Sequence, residues 1–408
     1  MAETGLTLTI QPTALASLLE STHIPHQPAV YRGALTARQL DAPEVETAAL
    51  AGGAAIHDLG WMRRVAVRGQ DRFRWLSGMV TNTVNDLFPN CGAWNFVLNA
   101  QGRIQGDLTV WREGEELSPL RRNPDVPDPN RAPAAGDRLL GTPFAGESGL
   151  QLEIAADQYD KLLAHLNRFI VMDDVELAPL GEEQAGEAGS ETAIGLAGPL
   201  ASEVLERVGL PAFSQPMKGK RVEWNGWDLT VLRGYGVLAP HYELWVPTAG
   251  LPKLWAYVRA AGATPVGCQT LEAFRVAEGI PVYGVDLAER DLPQETSQLR
   301  ALHFNKGCYL GQEIVERIRS RGSVHRHLRP LELFGPLATA GAELTFEDGS
   351  AAGHITSAAE LPLASGSRVF ALGMIHAEAE AKAQEFRYAA AGGTGAARIL
   401  AVPPALGK

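Results

Sequence analysis

Cysteine is scarce in this chain: three residues in 408, at positions 91, 268 and 308. Three cysteines cannot build an even disulfide framework, and none is close enough to another for a paired metal or redox motif. A reducing cytoplasm is the compartment that fits. A basic excess is also missing. The formal net charge of −11 argues against a general nucleic-acid or membrane-surface binder, because both partners are anionic. No apolar run approaches membrane-spanning length. The start, Met1-Ala2-Glu3-Thr4, lacks the basic residues and apolar stretch of a secretory signal. No internal repeat is visible, and His303, His325 and His327 lack metal-site spacing with a fourth ligand, so no metal site is expected. What remains is ordinary globular composition, 45% hydrophobic and 20% charged, over a length that holds two or three domains. The expected molecule is a soluble, intracellular monomer.

Periodicity divides the chain. Residues 1–55 read as a partly irregular leader with one short helical piece around Leu15 to Leu19. Val65-Ala66-Val67 is a β-branched strand signal, followed by a helix candidate from Gln70 to Leu76. Trp94 to Leu98 and Ile104 to Trp111 read as strands around a Gly-containing turn. Leu150 to Ile154 reads as an alternating strand, and Leu162, Leu163, Leu166, Phe169 and Ile170 give a helix one apolar face. Further helices are expected over Pro199 to Val208, around Leu251 to Val258 and over Leu271 to Glu278. Asn225-Gly226 predicts a type I′ hairpin turn. Prolines and charges between 113 and 135, and glutamates and glycines between 181 and 189, predict two irregular, mobile inserts. After Arg329 short strand candidates separated by turns predict a small antiparallel barrel over 326–408. The expectation is an α+β protein: one mixed region over 56–230, a second over 231–325, and the barrel.

The most informative string is Asn305-Lys306-Gly307-Cys308-Tyr309-Leu310-Gly311-Gln312-Glu313. Leu310, Ile314, Val315 and Ile318 recur at helical spacing, which places Cys308 just before a helix start and close to Lys306. An ammonium and a helix N-terminus both favour the thiolate, the reactive form. The bland alternative is a small buried hydrophobe, but Lys306 and flanking glycines are poor company for a core side chain.

This string resembles the signature of the YgfZ-type folate-binding proteins, which are similar to the aminomethyltransferase (T-protein) of the glycine cleavage system. The resemblance runs from about Val65 to Val402 outside the inserts. It implies two mixed domains and a barrel around a central folate cleft. It also implies tetrahydrofolate as ligand, iron–sulfur client or assembly proteins as partners, and Cys308 as a reactive thiol assisted by Lys306.

Three further stretches carry candidates. Arg275, in Arg275-Val276-Ala277-Glu278-Gly279, matches a folate-contacting arginine of the aminomethyltransferases, although a surface Arg275–Glu278 pair would explain it as well. Glu243 fits the glutamate of a partly kept Gly234-Tyr235-Gly236 segment, and a carboxylate there could accept neighbouring N–H donors of a pterin edge. Gly106-Asp107-Leu108-Thr109-Val110 resembles the strand that bears the catalytic aspartate of aminomethyltransferases, which makes Asp107 a candidate proton acceptor. By the same resemblance Tyr283 and Asn82 are expected to contact folate; Thr83 stands where the family carries an acid. The cluster Arg317, Arg319, Arg321, His325, Arg326, His327 and Arg329 is either a solvated helix end or a dock for an anionic partner or folate tail. The expected function is folate-dependent assistance to iron–sulfur enzymes through Cys308. One-carbon transfer of the aminomethyltransferase kind and a non-catalytic folate-binding scaffold are the alternatives.

Overall fold

A computed structural model describes residues 10–114, 149–181 and 190–406. Apart from their edges at 113–114 and 181, the two expected inserts lie outside the described residues. The chain opens with α1 (Ala14–Ser21), a hairpin of β1 (Pro28–Tyr31) and β2 (Ala34–Ala37), and α2 (Pro43–Gly52). The expected leader thus accounts only for α1. Its apolar side chains Leu15 and Leu19 are fully buried, and the Thr13 and Thr36 hydroxyls donate to the buried Asp58 carboxylate. The same carboxylate accepts Gly60 N–H at 2.8 Å, and the two hydroxyls supply the further donors that a buried carboxylate needs, which ties the segment to the body.

The body is a mixed sheet of strands β3 (Ala55–Asp58), β4 (Met62–Arg68), β5 (Cys91–Leu98), β6 (Ile104–Arg112), β7 (Leu150–Ala155), β8 (Glu176–Leu180), β9 (Glu191–Ala197), β10 (Lys218–Trp224), β11 (Trp227–Arg233), β12 (His241–Pro247) and β13 (Thr264–Val266). The spatial order is β13-β3-β9-β12-β11-β10-β5-β6-β7-β4-β8. At its centre β10 and β5 share a single rung, Lys218 opposite Cys91. The sheet therefore behaves as two halves that meet edge to edge. Helices α5 (Ala201–Arg207) and α6 (Leu251–Ala260) cover one half, burying Val204, Leu205, Leu254 and Val258 with Ile56 and Leu244. Helices α3 (Arg72–Met79) and α4 (Ala156–Asn167) cover the other, burying Leu76, Leu162 and Leu166 with Val65 and Leu152.

Asn225 and Gly226 take φ of 51° and 83° between paired Trp224 and Trp227, the positive φ values that a type I′ turn requires. The alternating strand expected at Leu150 to Ile154 is β7, and it is buried throughout, because its polar residues face the interior of the molecule. Helix α7 (Cys268–Glu278) ends where Gly279 adopts φ +74° and its N–H and that of Ile280 return to Val276 and Arg275 carbonyls, a glycine stop. Helix α8 (Gln312–Arg321) precedes the barrel.

The barrel is closed in the order β14 (Arg326–Phe334), β17 (Arg368–His376), β16 (Ala351–Leu361), β15 (Glu343–Thr345), β18 (Glu385–Ala390) and β19 (Gly393–Ile399), with α9 (Ala377–Lys382) between β17 and β18. It packs on α7 through Leu361 and Phe370 against Ala273, Val276 and Ala277. The protein is therefore the mixed α/β assembly with a C-terminal antiparallel barrel that the sequence predicts. No helix among the described residues is long and apolar enough to cross a membrane.

Candidate functional site

Where the two halves of the sheet, α7 and the loop before α8 converge, they enclose a cavity of about 280 Å³. Asp107, Glu243 and Arg275, far apart in sequence, all border it. Tyr31, Trp61, Trp94, Trp111, Tyr235 and Phe274 supply aromatic walls. Such a concave, largely apolar space with a few polar groups suits a flat heteroaromatic head group.

Asp107 comes from β6. Its carboxylate accepts Trp94 Nε1–H at 2.9 Å and Gln158 Nε2–H at 3.1 Å, so both oxygens are oriented. Glu243 comes from β12 and accepts Trp245 Nε1–H at 3.2 Å. Burial, and then the adjacent Glu153, push its carboxyl well above the usual carboxylate range. Glu153 itself accepts Trp111 Nε1–H at 2.8 Å. These two carboxyl groups form a buried pair, with Glu243 at the cavity wall and Glu153 behind it.

Two histidines escaped the sequence reading. His57 and His241 border the cavity with ring centroids 5.3 Å apart, and burial holds them down at about 3 and about 4. Both are neutral at physiological pH. His57 Nδ1 lies 2.8 Å from Asp58 O, and an ideal Cβ on Gly195 would fall 2.0 Å from its ring, so only glycine fits there. Isolated histidines in unrelated strands give no sequence signal.

Arg275 reaches the cavity wall with its hydrogen bonds already taken. Its Nε donates to Glu272 at 2.8 Å, its Nη1 to Asp286 at 2.7 Å and to Ile280 O at 3.0 Å, and its Nη2 to Glu272. Its anions are the protein's own. Asp286, with no exposed side chain, also accepts Val282 N–H at 2.9 Å and the Thr356 and Ser357 hydroxyls at 2.6 Å each. Glu278, one turn on, also borders the cavity; its Oε1 accepts Val237 N–H and Leu238 N–H, both at 2.9 Å, and burial lifts its carboxyl to about 7. Arg275 and Glu278 are not paired as the sequence alternative has it.

Asn82 and Tyr283 lie behind the cavity wall. Asn82 donates from Nδ2 to Trp94 O at 3.0 Å and Arg300 O at 2.8 Å, holding two wall residues in place. The Tyr283 hydroxyl accepts from Lys161, which also pairs with Glu289 at 2.5 Å. The wall residue next to it is Val282.

Cys308 is exposed, and among the described residues none forms a hydrogen bond with its sulfur. Helix α8 begins at Gln312, later than Leu310, because Gly311 takes φ +82° against Asn99 O, where a Cβ would approach to 2.6 Å. Lys306 turns away from the thiol. Its ammonium donates to Val80 O and Asn82 O, each at 2.6 Å, stands 5.2 Å from the Tyr309 ring, and is pushed down to about 7 by burial. Lys306 therefore ties the cysteine loop to the turn that carries Asn82.

Part of the basic cluster is neutralised from within. Arg326 pairs with Asp291 at 2.6 Å and Glu295 at 3.2 Å, and Glu380 takes His327 at 2.8 Å and Arg329 at 2.7 Å. Carboxylates brought from other segments thus neutralise the strand part of the cluster, Arg326, His327 and Arg329.

Comparison with known proteins fits this geometry. No family profile matches the chain. A protein of Arabidopsis thaliana described as a chloroplastic transferase is 24% identical over 313 residues, 75% of this chain and 62% of the plant protein. An aminomethyltransferase of Rubrobacter xylanophilus is 25% identical over 312 residues, 76% of this chain and 73% of the relative. The structure of the glycine cleavage system aminomethyltransferase T from Bartonella henselae superposes with a TM-score of 0.78 at 18% identity, covering 98% of this chain and 99% of that one. The relatives include aminomethyltransferases, and the fold is that of the Bartonella enzyme.

Proposed function

We propose that this chain is a YgfZ-type protein that binds tetrahydrofolate in the inner cavity and supports iron–sulfur enzymes through the exposed thiol of Cys308. One observation carries the folate part: Asp107 and Glu243, from separate strands, border one aromatic-walled cavity. A pterin is a flat ring system with N–H donors along one edge. The walls offer Trp61, Trp94 and Trp111 for stacking, and Glu243 beside Glu153 offers acceptor oxygens in a dry setting. Tetrahydrofolate, when bound, supplies a nucleophilic amine that carries one-carbon units. Asp107, oriented by Trp94 and Gln158, is placed to hold a proton at the wall of the same space. Cys308 stands outside the cavity, where a partner protein can reach it. Lys306 and Asn82 connect its loop to Trp94 and Arg300.

A second reading, one-carbon transfer of the aminomethyltransferase kind, is favoured by Asp107 within the cavity and by the relatives named above. The variants Cys308→Ser and Asp107→Asn separate the two. Under the first reading Cys308→Ser binds tetrahydrofolate normally yet fails to restore iron–sulfur enzyme activity in cells lacking the protein, and Asp107→Asn restores it. The second reading reverses the outcomes, with Asp107→Asn losing transfer activity. Folate binding has its own test. Glu243→Ala should weaken tetrahydrofolate by about 0.5–1.5 kcal/mol in calorimetry, the net range for an ordinary hydrogen bond. Equal affinity for wild type and variant would remove the cavity assignment.

A further inference from the structure

One charged side chain bordering the cavity makes no hydrogen bond or ion pair among the described residues. Arg300, in the loop between α7 and α8, places its guanidinium 5.1 Å from the Trp94 ring and 4.9 Å from the Tyr235 ring. Its Nε is buried without a hydrogen-bond acceptor. No carboxylate among the described residues forms an ion pair with it, and no acceptor is bonded to its terminal nitrogens. Its main chain is fixed, because Arg300 O accepts Asn82 Nδ2–H. The acid facing it, Glu278, is lifted to about 7 by burial, and its Oε1 is committed to two backbone N–H groups. A guanidinium stays charged under all ordinary conditions, and a charge withdrawn from water that faces only a part-ionised acid, with no acceptor bonded to it, is costly. Stacking between two rings presents its donor edge in a fixed orientation.

Arg300 also occupies a junction. A second cavity, of about 550 Å³, opens between the end of α7 and barrel strands β14 and β17, and Arg300 and Glu278 border both spaces. Arg329, the other cation bordering the outer cavity, is already bonded to Glu380 and Ser297.

We propose that Arg300 is the carboxylate-recognition residue of an elongated ligand whose flat head occupies the inner cavity and whose anionic tail passes Arg300 into the outer one. The inference rests on the folate reading above and adds to it which residue reads the tail and where the tail runs. A bidentate guanidinium–carboxylate pair satisfies the donor edge that the fold leaves open. Head and tail are then recognised by different walls, so the tail contribution is separable by chemistry as well as by mutation.

The test uses the full chain and two ligands, tetrahydrofolate and tetrahydrofolate with its glutamyl carboxylates converted to amides. Wild type should bind the acid roughly 10- to 100-fold more tightly than the amide, the equivalent of one charge-assisted interaction. Arg300→Met should bring the acid down to the affinity of the amide and leave the amide unchanged. Arg300→Lys, which keeps the charge but loses the fork, should fall between. A merely structural Arg300 would weaken both ligands alike, and that result overturns the proposal. So does equal binding of acid and amide by wild type, a comparison that stands even if the variants fail to fold. Binding of neither ligand to wild type removes the folate reading itself and this inference with it.

Discussion

Arg275 and Arg300 border the same cavity, yet the fold treats them in opposite ways. Arg275 sits at the meeting point of α7, the Ile280–Asp286 loop and the barrel, with Glu272 and Asp286 neutralising it. Arg300 sits between two aromatic rings with no acid bonded to it. The first guanidinium is used up in holding the wall together, and the second is left for whatever enters. An arginine's position in a motif and its availability to a ligand are thus separate facts, and only the set of surrounding acceptors distinguishes them.

The largest expected effect follows from removing the committed arginine. Arg275→Met strands the Asp286 carboxylate in a fully buried position, and breaking such a pair costs about 3–5 kcal/mol. Arg300→Met should cost less than about 1 kcal/mol, since no partner is stranded. Denaturant unfolding of both variants measures the contrast. If Arg275→Met kept its stability but lost ligand affinity, Arg275 would be a ligand contact and the contrast would collapse.

Glu278 gives the next effect. Its carboxyl titrates near 7 in the folded protein against an ordinary 4.5, so the folded state binds more protons than the unfolded one between those values. The associated stability is fully present below pH 4.5 and is lost as pH rises through 7, amounting to about 3 kcal/mol. Glu278→Gln keeps an acceptor for the Val237 and Leu238 N–H groups and should flatten stability between pH 5 and 8. An unchanged pH profile in the variant would mean that Glu278 is ionised throughout and already screens Arg300.

The smallest effect is expected at the rim. Cys308→Ser alters an exposed side chain to which nothing is bonded, so unfolding free energy should change by less than about 0.5 kcal/mol. Cys308 should also be the first thiol modified at neutral pH, since Cys91 and Cys268 are buried and burial pushes the Cys268 thiol up to about 11. Faster modification of Cys91, whose sulfur accepts from Lys218 Nζ at 3.0 Å, would show that this ammonium outweighs burial.

What was legible in the sequence was local. The Asn225-Gly226 hairpin, the helices α4 to α7 and most barrel strands follow from turn chemistry and periodicity. The Gly106–Val110 and His241–Val246 strands could be read singly, and resemblance singled out Asp107 and Glu243 on them. Their convergence could not be read, because it depends on how two half-sheets are set against each other. Arg300 lies between Leu299 and Ala301 in a single 3-10 turn, and nothing in that string says that Trp94 and Tyr235 will clasp it. The pairing of the basic cluster was hidden for a complementary reason: Glu380 reaches His327 and Arg329 only when the barrel closes, and Asp291 and Glu295 reach Arg326 only when the barrel meets the body.

Asp286 has a consequence for modularity. A closed six-stranded barrel invites treatment as a detachable part, one that could be trimmed, exchanged with a relative's or expressed alone. Its strand β16, however, contributes the Thr356 and Ser357 hydroxyls to a carboxylate rooted in the loop after α7. A graft that lacks those hydroxyls would leave the Asp286 charge short of donors and loosen Arg275 at the cavity wall. The border between barrel and body is therefore a shared joint, and any chimera of this fold must carry both sides of it.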